Sequence, residues 1–66
     1  MKIIFVFIFL LNGQTEKVPT ILFEGQKCQD KFMEIVITNK IKSRVLYKNH
    51  IVWAHYCKSI KGEWVQ

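Results

Sequence analysis

The sequence predicts a small α+β domain, a β-β-α-β unit in which one helix packs on an antiparallel sheet. Three observations predict it: an apolar run near the start that stops at Asn12-Gly13, a stripe of apolar residues at helical spacing from Cys28, and a strand-length segment rich in aromatic and β-branched residues at 51–57. A chain of 66 residues is near the lower limit at which one hydrophobic core offsets chain entropy, so residues 1–66 are read as a single domain. Half of the residues are hydrophobic, far from the polar, highly charged composition that keeps a chain disordered.

The first element has two readings. Met1-Lys2 precedes nine residues, Ile3 to Leu11, with no polar side-chain atom. A transmembrane helix needs about twenty such residues, so no transmembrane span is expected. A cleaved signal peptide over residues 1–13 fits in length, with Lys2 as its charged end, but Leu11-Asn12-Gly13 has only Gly13 as a small residue where the peptidase wants two. The other reading is a buried strand near 2–12, since β-branched and aromatic residues dominate and Asn-Gly favours a type I′ hairpin turn. A second strand near 17–24 follows, and Pro19, which has no N–H for a ladder, puts it at a sheet edge.

From Gly25 the spacing turns helical. Cys28, Phe32, Ile35 and Val36 form one stripe, while Lys27, Asp30, Lys31 and Glu34 take the other side as i,i+3 pairs. The helix is expected near 26–41, with Gly25 as N-cap and Asn39 ending it in the left-handed conformation. The β-branched run Ile35-Val36-Ile37-Thr38 argues against its second half and keeps a small all-β meander as the alternative. Residues 42–50 are left unassigned. The last strand is expected near 51–58, with Ile51, Trp53, His55 and Cys57 on one face by alternation.

Cys28 and Cys57 are the only cysteines, and a bridge between them is expected because so small a core needs a cross-link. The competing state is a pair of buried thiols in a reducing compartment. A bridge favours an extracytoplasmic or virion setting. The charge, +5 in total, is uneven. The first 39 residues balance to zero, so the whole excess lies beyond them, in Lys40, Lys42, Arg44, Lys48, Lys58 and Lys61 against Glu63. Lys40, Lys42, Arg44, Lys58 and Lys61 are therefore the expected surface for an anionic or protein partner, against the plainer alternative of a solvated face.

Enzymatic chemistry is not expected. Ser43, Ser59 and the cysteines lack a neighbouring motif of base and orienting group, and Gly13, Gly25 and Gly62 are too isolated to cradle a phosphate. No cofactor is expected. His50, His55 and Cys57 with Cys28 are ligand types that zinc accepts, but they lack the paired spacing of finger sites, so no metal is assigned. Nucleic acid is a possible partner on charge and aromatic content, without a fold signature.

An apolar first strand ending Asn12-Gly13-Gln14, a second ending Phe23, then Cys28, a helix and Tyr56-Cys57-Lys58 form an order of features. It resembles a loose group of short proteins from bacteria and their phages with an apparent β-β-α-β fold and a helix-to-last-strand disulfide. The resemblance covers most of the chain and implies that residues 1–13 are retained as a strand. The long stretch before the last strand and the tail with Trp64 depart from the group. The expected function is that of a non-enzymatic accessory, structural or binding protein of bacterial or phage type. A secreted, cationic, disulfide-bonded peptide acting on membranes or competing cells is the alternative.

Overall fold

The computed structural model describes residues 2–39 and 41–66. A first hairpin, β1 (Lys2–Leu10) and β2 (Thr15–Leu22), is followed by α1 (Cys28–Ile35), β3 (Ile37–Asn39), β4 (Arg44–Tyr47), β5 (His50–Ser59) and β6 (Trp64–Val65). All pairings are antiparallel in the order β2-β1-β5-β4-β3, with β6 also on β5. One short helix on an antiparallel sheet is the α+β arrangement expected. The element order is not: three short strands, β3, β4 and β6, extend β-β-α-β to β-β-α-β-β-β-β.

β1 lies between β2 and β5, and its pleat sorts its side chains by type. Ile4, Val6, Ile8 and Leu10 point to the helix side and are almost wholly buried; Phe5, Phe7 and Phe9 point the other way and are half-buried. Burying each of those aliphatic side chains stabilises the fold by roughly 1.5–3 kcal/mol. β2 pairs only with β1, which places Pro19 at the edge, opposite Phe5, where its missing N–H costs no ladder bond. The connecting turn is not type I′, because among its residues only Gly13 has positive φ (94°). Gly13 N–H instead donates to the Leu10 carbonyl, Leu10 N–H donates to Gln14, and the Asn12 side chain accepts from Gln14 N–H. The β5–β6 turn is built the same way, with Gly62 donating to Ser59 and Ser59 to Glu63.

The helix is shorter than its apolar stripe suggests. It starts from Lys27 rather than Gly25, with Lys27 N–H donating to Asp30 Oδ2 at 3.0 Å, and it stops at Ile35. Val36 turns extended and Ile37–Asn39 becomes β3, so the β-branched run prevails over helical spacing and Asn39 is a strand residue rather than a cap. Cys28, Phe32 and Val36 still face the core, with Ile35 packed beside them. Lys31 does not lie on the outer side. It is buried, with its ammonium 5.2 Å from the centre of the Phe23 ring and 2.8 Å from Glu34 Oε2.

Residues 44–50 form the tightest hairpin of the molecule. Tyr47 pairs with His50 across Lys48 and Asn49, which both have positive φ (50° and 70°), the geometry of a type I′ turn. β5 then carries a bulge. Phe9 pairs with Ala54 but Leu10 pairs with Val52, so Trp53 is an extra residue in β5. The bulge breaks the alternation expected for this strand: Val52 packs on the core, while Trp53 joins Ala54 on the far side, beside Phe9.

Cys28 and Cys57 are joined, their Cα atoms 5.8 Å apart across a separation of 29 residues. The bridge ties the first turn of α1 to β5 at a fully buried position, opposite Val6. His55 stacks on Phe32 nearby, ring centroids 3.7 Å apart. The Cα trace measures 33 × 24 × 16 Å. Its short axis accommodates one sheet and one helix, so among the described residues no layer lies over the second face of the sheet.

Candidate functional site

The uncovered face is the surface on which unusual residues converge. Its positions follow from the register. Across β2-β1-β5 one row reads Lys17, Phe7, Tyr56; the next reads Pro19, Phe5, Lys58 and continues into Trp64 on β6; a third reads Thr15, Phe9, Ala54, with Trp53 bulged beside it. Val45 and Tyr47 pack on the core, which leaves Arg44 and Leu46 of β4 on the open side.

The rings on this face lean on one another. Phe7 stacks on Tyr56 at 4.8 Å between centroids, Phe9 meets Tyr56 at 5.5 Å and Trp53 at 5.6 Å, and Tyr56 meets Trp64 at 4.9 Å. Trp53 and Trp64 lie at opposite ends of this chain of rings and are 65% and 69% exposed. They are the chain's only tryptophans.

Two ammonium groups lie over the rings. Lys17 Nζ is 4.3 Å from the centre of Phe5 and 5.9 Å from that of Phe7. Lys58 Nζ is 4.8 Å from Trp64 and 5.7 Å from Tyr56. Such contacts stabilise by about 0.5–1 kcal/mol at exposed sites. No Asp or Glu occupies an open-side position on any described strand: Glu16 pairs with Ile8 and so faces the helix side, and Glu24, Asp30, Glu34 and Glu63 lie outside the strands. The face is therefore apolar and cationic without an internal counter-charge.

The basic residues expected to meet a partner separate in space. Lys58 and Arg44 lie on the open face, Lys42 is exposed in the β3–β4 turn, and Lys61 lies in the β5–β6 turn, where with Lys2, Ile3, Ser59, Ile60 and Glu63 it lines an open depression at the sheet end. Lys40 lies outside the described residues. The structure adds Lys17, from the electrically balanced half of the chain. Sequence reasoning missed the face although a signal for it was present: Ile4-Phe5-Val6-Phe7-Ile8-Phe9-Leu10 alternates aliphatic with aromatic at every step, a two-faced strand rather than one uniformly buried.

The opposite side of the sheet offers little chemistry. Cys28 and Cys57 bond to each other and present no thiolate. His55 is partly buried against Phe32, and desolvation lowers its pKa below the ordinary 6.5. Among the described residues no group of three or more His, Cys, Asp or Glu is placed to hold a metal ion, and no helix is long and apolar enough to cross a membrane. Comparison with protein-family models, with curated proteins and with solved structures finds no match to this chain.

Proposed function

We propose that the protein is a small, non-enzymatic binding module whose contact surface is the open face of its sheet. The observation that carries this is the pairing, on one uncovered surface, of five linked aromatic rings with Lys17, Lys58 and Arg44 and no carboxylate at the open-side positions of the described strands. Apolar surface left uncovered on a small domain marks an interaction site, and unbalanced positive charge selects an anionic partner. The bacterial or phage setting rests on the order of sequence features alone.

Both tryptophans lie on this surface, so the protein reports its own binding. Trp emission should shift on adding an anionic ligand from a panel of polynucleotide, polyglutamate, heparin and anionic vesicles. The shift should weaken in a Lys17→Gln/Arg44→Gln/Lys58→Gln variant and persist in Lys42→Gln. A panel that leaves the emission unchanged, or binding indifferent to the triple substitution, overturns the proposal.

A secreted cationic peptide would lose residues 1–13. Retention is favoured because β1 supplies Ile4, Val6, Ile8 and Leu10, most of the fully buried side chains. N-terminal sequencing of protein from its native source decides between the two. A mature chain starting just after Gly13 would reverse the proposal.

A further inference from the structure

Resting on that reading of the open face, we infer that its ligand is single-stranded nucleic acid, held by bases stacking among the exposed rings and by phosphates on Lys17, Arg44 and Lys58. Three features carry the inference. The first is the supply of π-faces: Trp53 and Trp64 end the chain of rings, each more than half exposed, and the bulge in β5 is what turns Trp53 to this side. Every base has a π-face, so such a surface accepts unstacked bases whatever their sequence.

The second is where the cations sit. Lys17 and Lys58 lie over ring faces, not beyond them, each on a flexible stem that can move its ammonium to a phosphate when a base takes its place. An amphipathic surface that enters a lipid headgroup layer keeps its charges on the polar side of an apolar face. Here cation and ring are interleaved, and seating this face in acyl chains would desolvate both ammonium groups.

The third is the missing counter-charge. A second copy of this chain laid face to face would bring Lys17, Lys58 and Arg44 against their equivalents with no carboxylate at the open-side strand positions to pair them. A polyanion meets that imbalance directly. Duplex nucleic acid supplies the phosphates but keeps its bases stacked inside, where an open sheet cannot reach their faces.

The test is fluorescence anisotropy with a labelled single strand of about twelve nucleotides, as DNA and as RNA, against a duplex of equal length and against anionic vesicles, using the full disulfide-bonded chain. Single strands should bind and quench Trp emission. Trp53→Ala and Trp64→Ala, at exposed positions that the core does not need, should each weaken binding roughly tenfold to a hundredfold. With three phosphate contacts the log–log salt slope should be near −2, falling toward about −0.7 in Lys17→Gln/Lys58→Gln. Circular dichroism of each variant confirms that it folds. The inference is overturned if the duplex binds as tightly as the single strand, or if removing either tryptophan has no effect. Vesicle binding that depends on the same residues, with no single-strand binding, also overturns it while leaving the open face as the binding surface. A face that responds to no anion at all defeats both proposals.

Discussion

The two faces of the β1–β5 core are built from neighbouring residues and do opposite work. On the helix side Ile4, Val6, Ile8 and Leu10 of β1 are aliphatic and almost fully buried, closed over by Cys28, Phe32 and Val36 and fastened by the bridge to Cys57. On the open side the intervening residues are phenylalanines that stay half-buried beneath lysine stems and other rings. Stability is concentrated on the first face and availability on the second. A domain this small can leave one face open only because the other is both fully packed and cross-linked.

The largest effect should come from cutting the bridge. Closing a loop of 29 residues stabilises by roughly 3–4 kcal/mol in the loop-entropy model. A Cys28→Ser/Cys57→Ser chain should therefore show a sharply lower urea midpoint or no cooperative transition. An unchanged midpoint would mean that the covered face holds without its fastening.

The next test sets adjacent residues against each other. Ile8→Ala removes atoms from a fully buried site and should cost about 2–5 kcal/mol. Phe7→Ala, one position away on the open face, should cost about half as much despite deleting a larger side chain, since its atoms already meet solvent. Equal losses in urea titrations of the two variants would erase the distinction between the faces.

Trp53→Ala sharpens the comparison from the open side. Its ring touches Phe9 but closes no core contact, so stability should change by no more than about 1 kcal/mol while ligand-induced quenching falls. A large loss of stability would make Trp53 a structural residue.

The smallest effect is expected from pH, on the covered side. Desolvation lowers the pKa of His55 in the folded chain, so the unfolded chain takes up its proton first as the solution is acidified. The stability that neutral His55 contributes is present above about pH 6.5 and is lost as pH falls through the lowered folded value. The urea midpoint should drop slightly over that window, and His55→Gln should flatten the drop. A midpoint that rises on acidification would mean that the imidazolium is stabilised against Phe32 instead.

Much of this was legible in the residues. The apolar stripe from Cys28 marked the helix face, Pro19 marked the edge strand, and the size of the chain argued for the Cys28–Cys57 bridge, all of which the fold contains. The end of the helix was legible only as a conflict, since 3.6-residue spacing and a β-branched run pointed in different directions through residues 35–38. The open face was legible in part, through the aliphatic and aromatic alternation of β1, but nothing local said which of the two sets the helix would cover.

Local chemistry, then, determined the elements themselves: where strands alternate, where Gly13 and Gly62 allow positive φ, where Pro19 tolerates an unpaired edge, and which cysteines were available to join. Only the tertiary structure decided the candidate site. The bulge that turns Trp53 outward exists because Phe9 and Leu10 of β1 meet β5 out of step, a pairing between residues more than forty positions apart. Lys17 reaches the cationic face only because β2 folds back along β1 and sets it opposite Phe7. Both depend on which strands become neighbours. That is settled by burying Ile4, Val6, Ile8 and Leu10 together under one helix, a cooperative gain that no single segment contains.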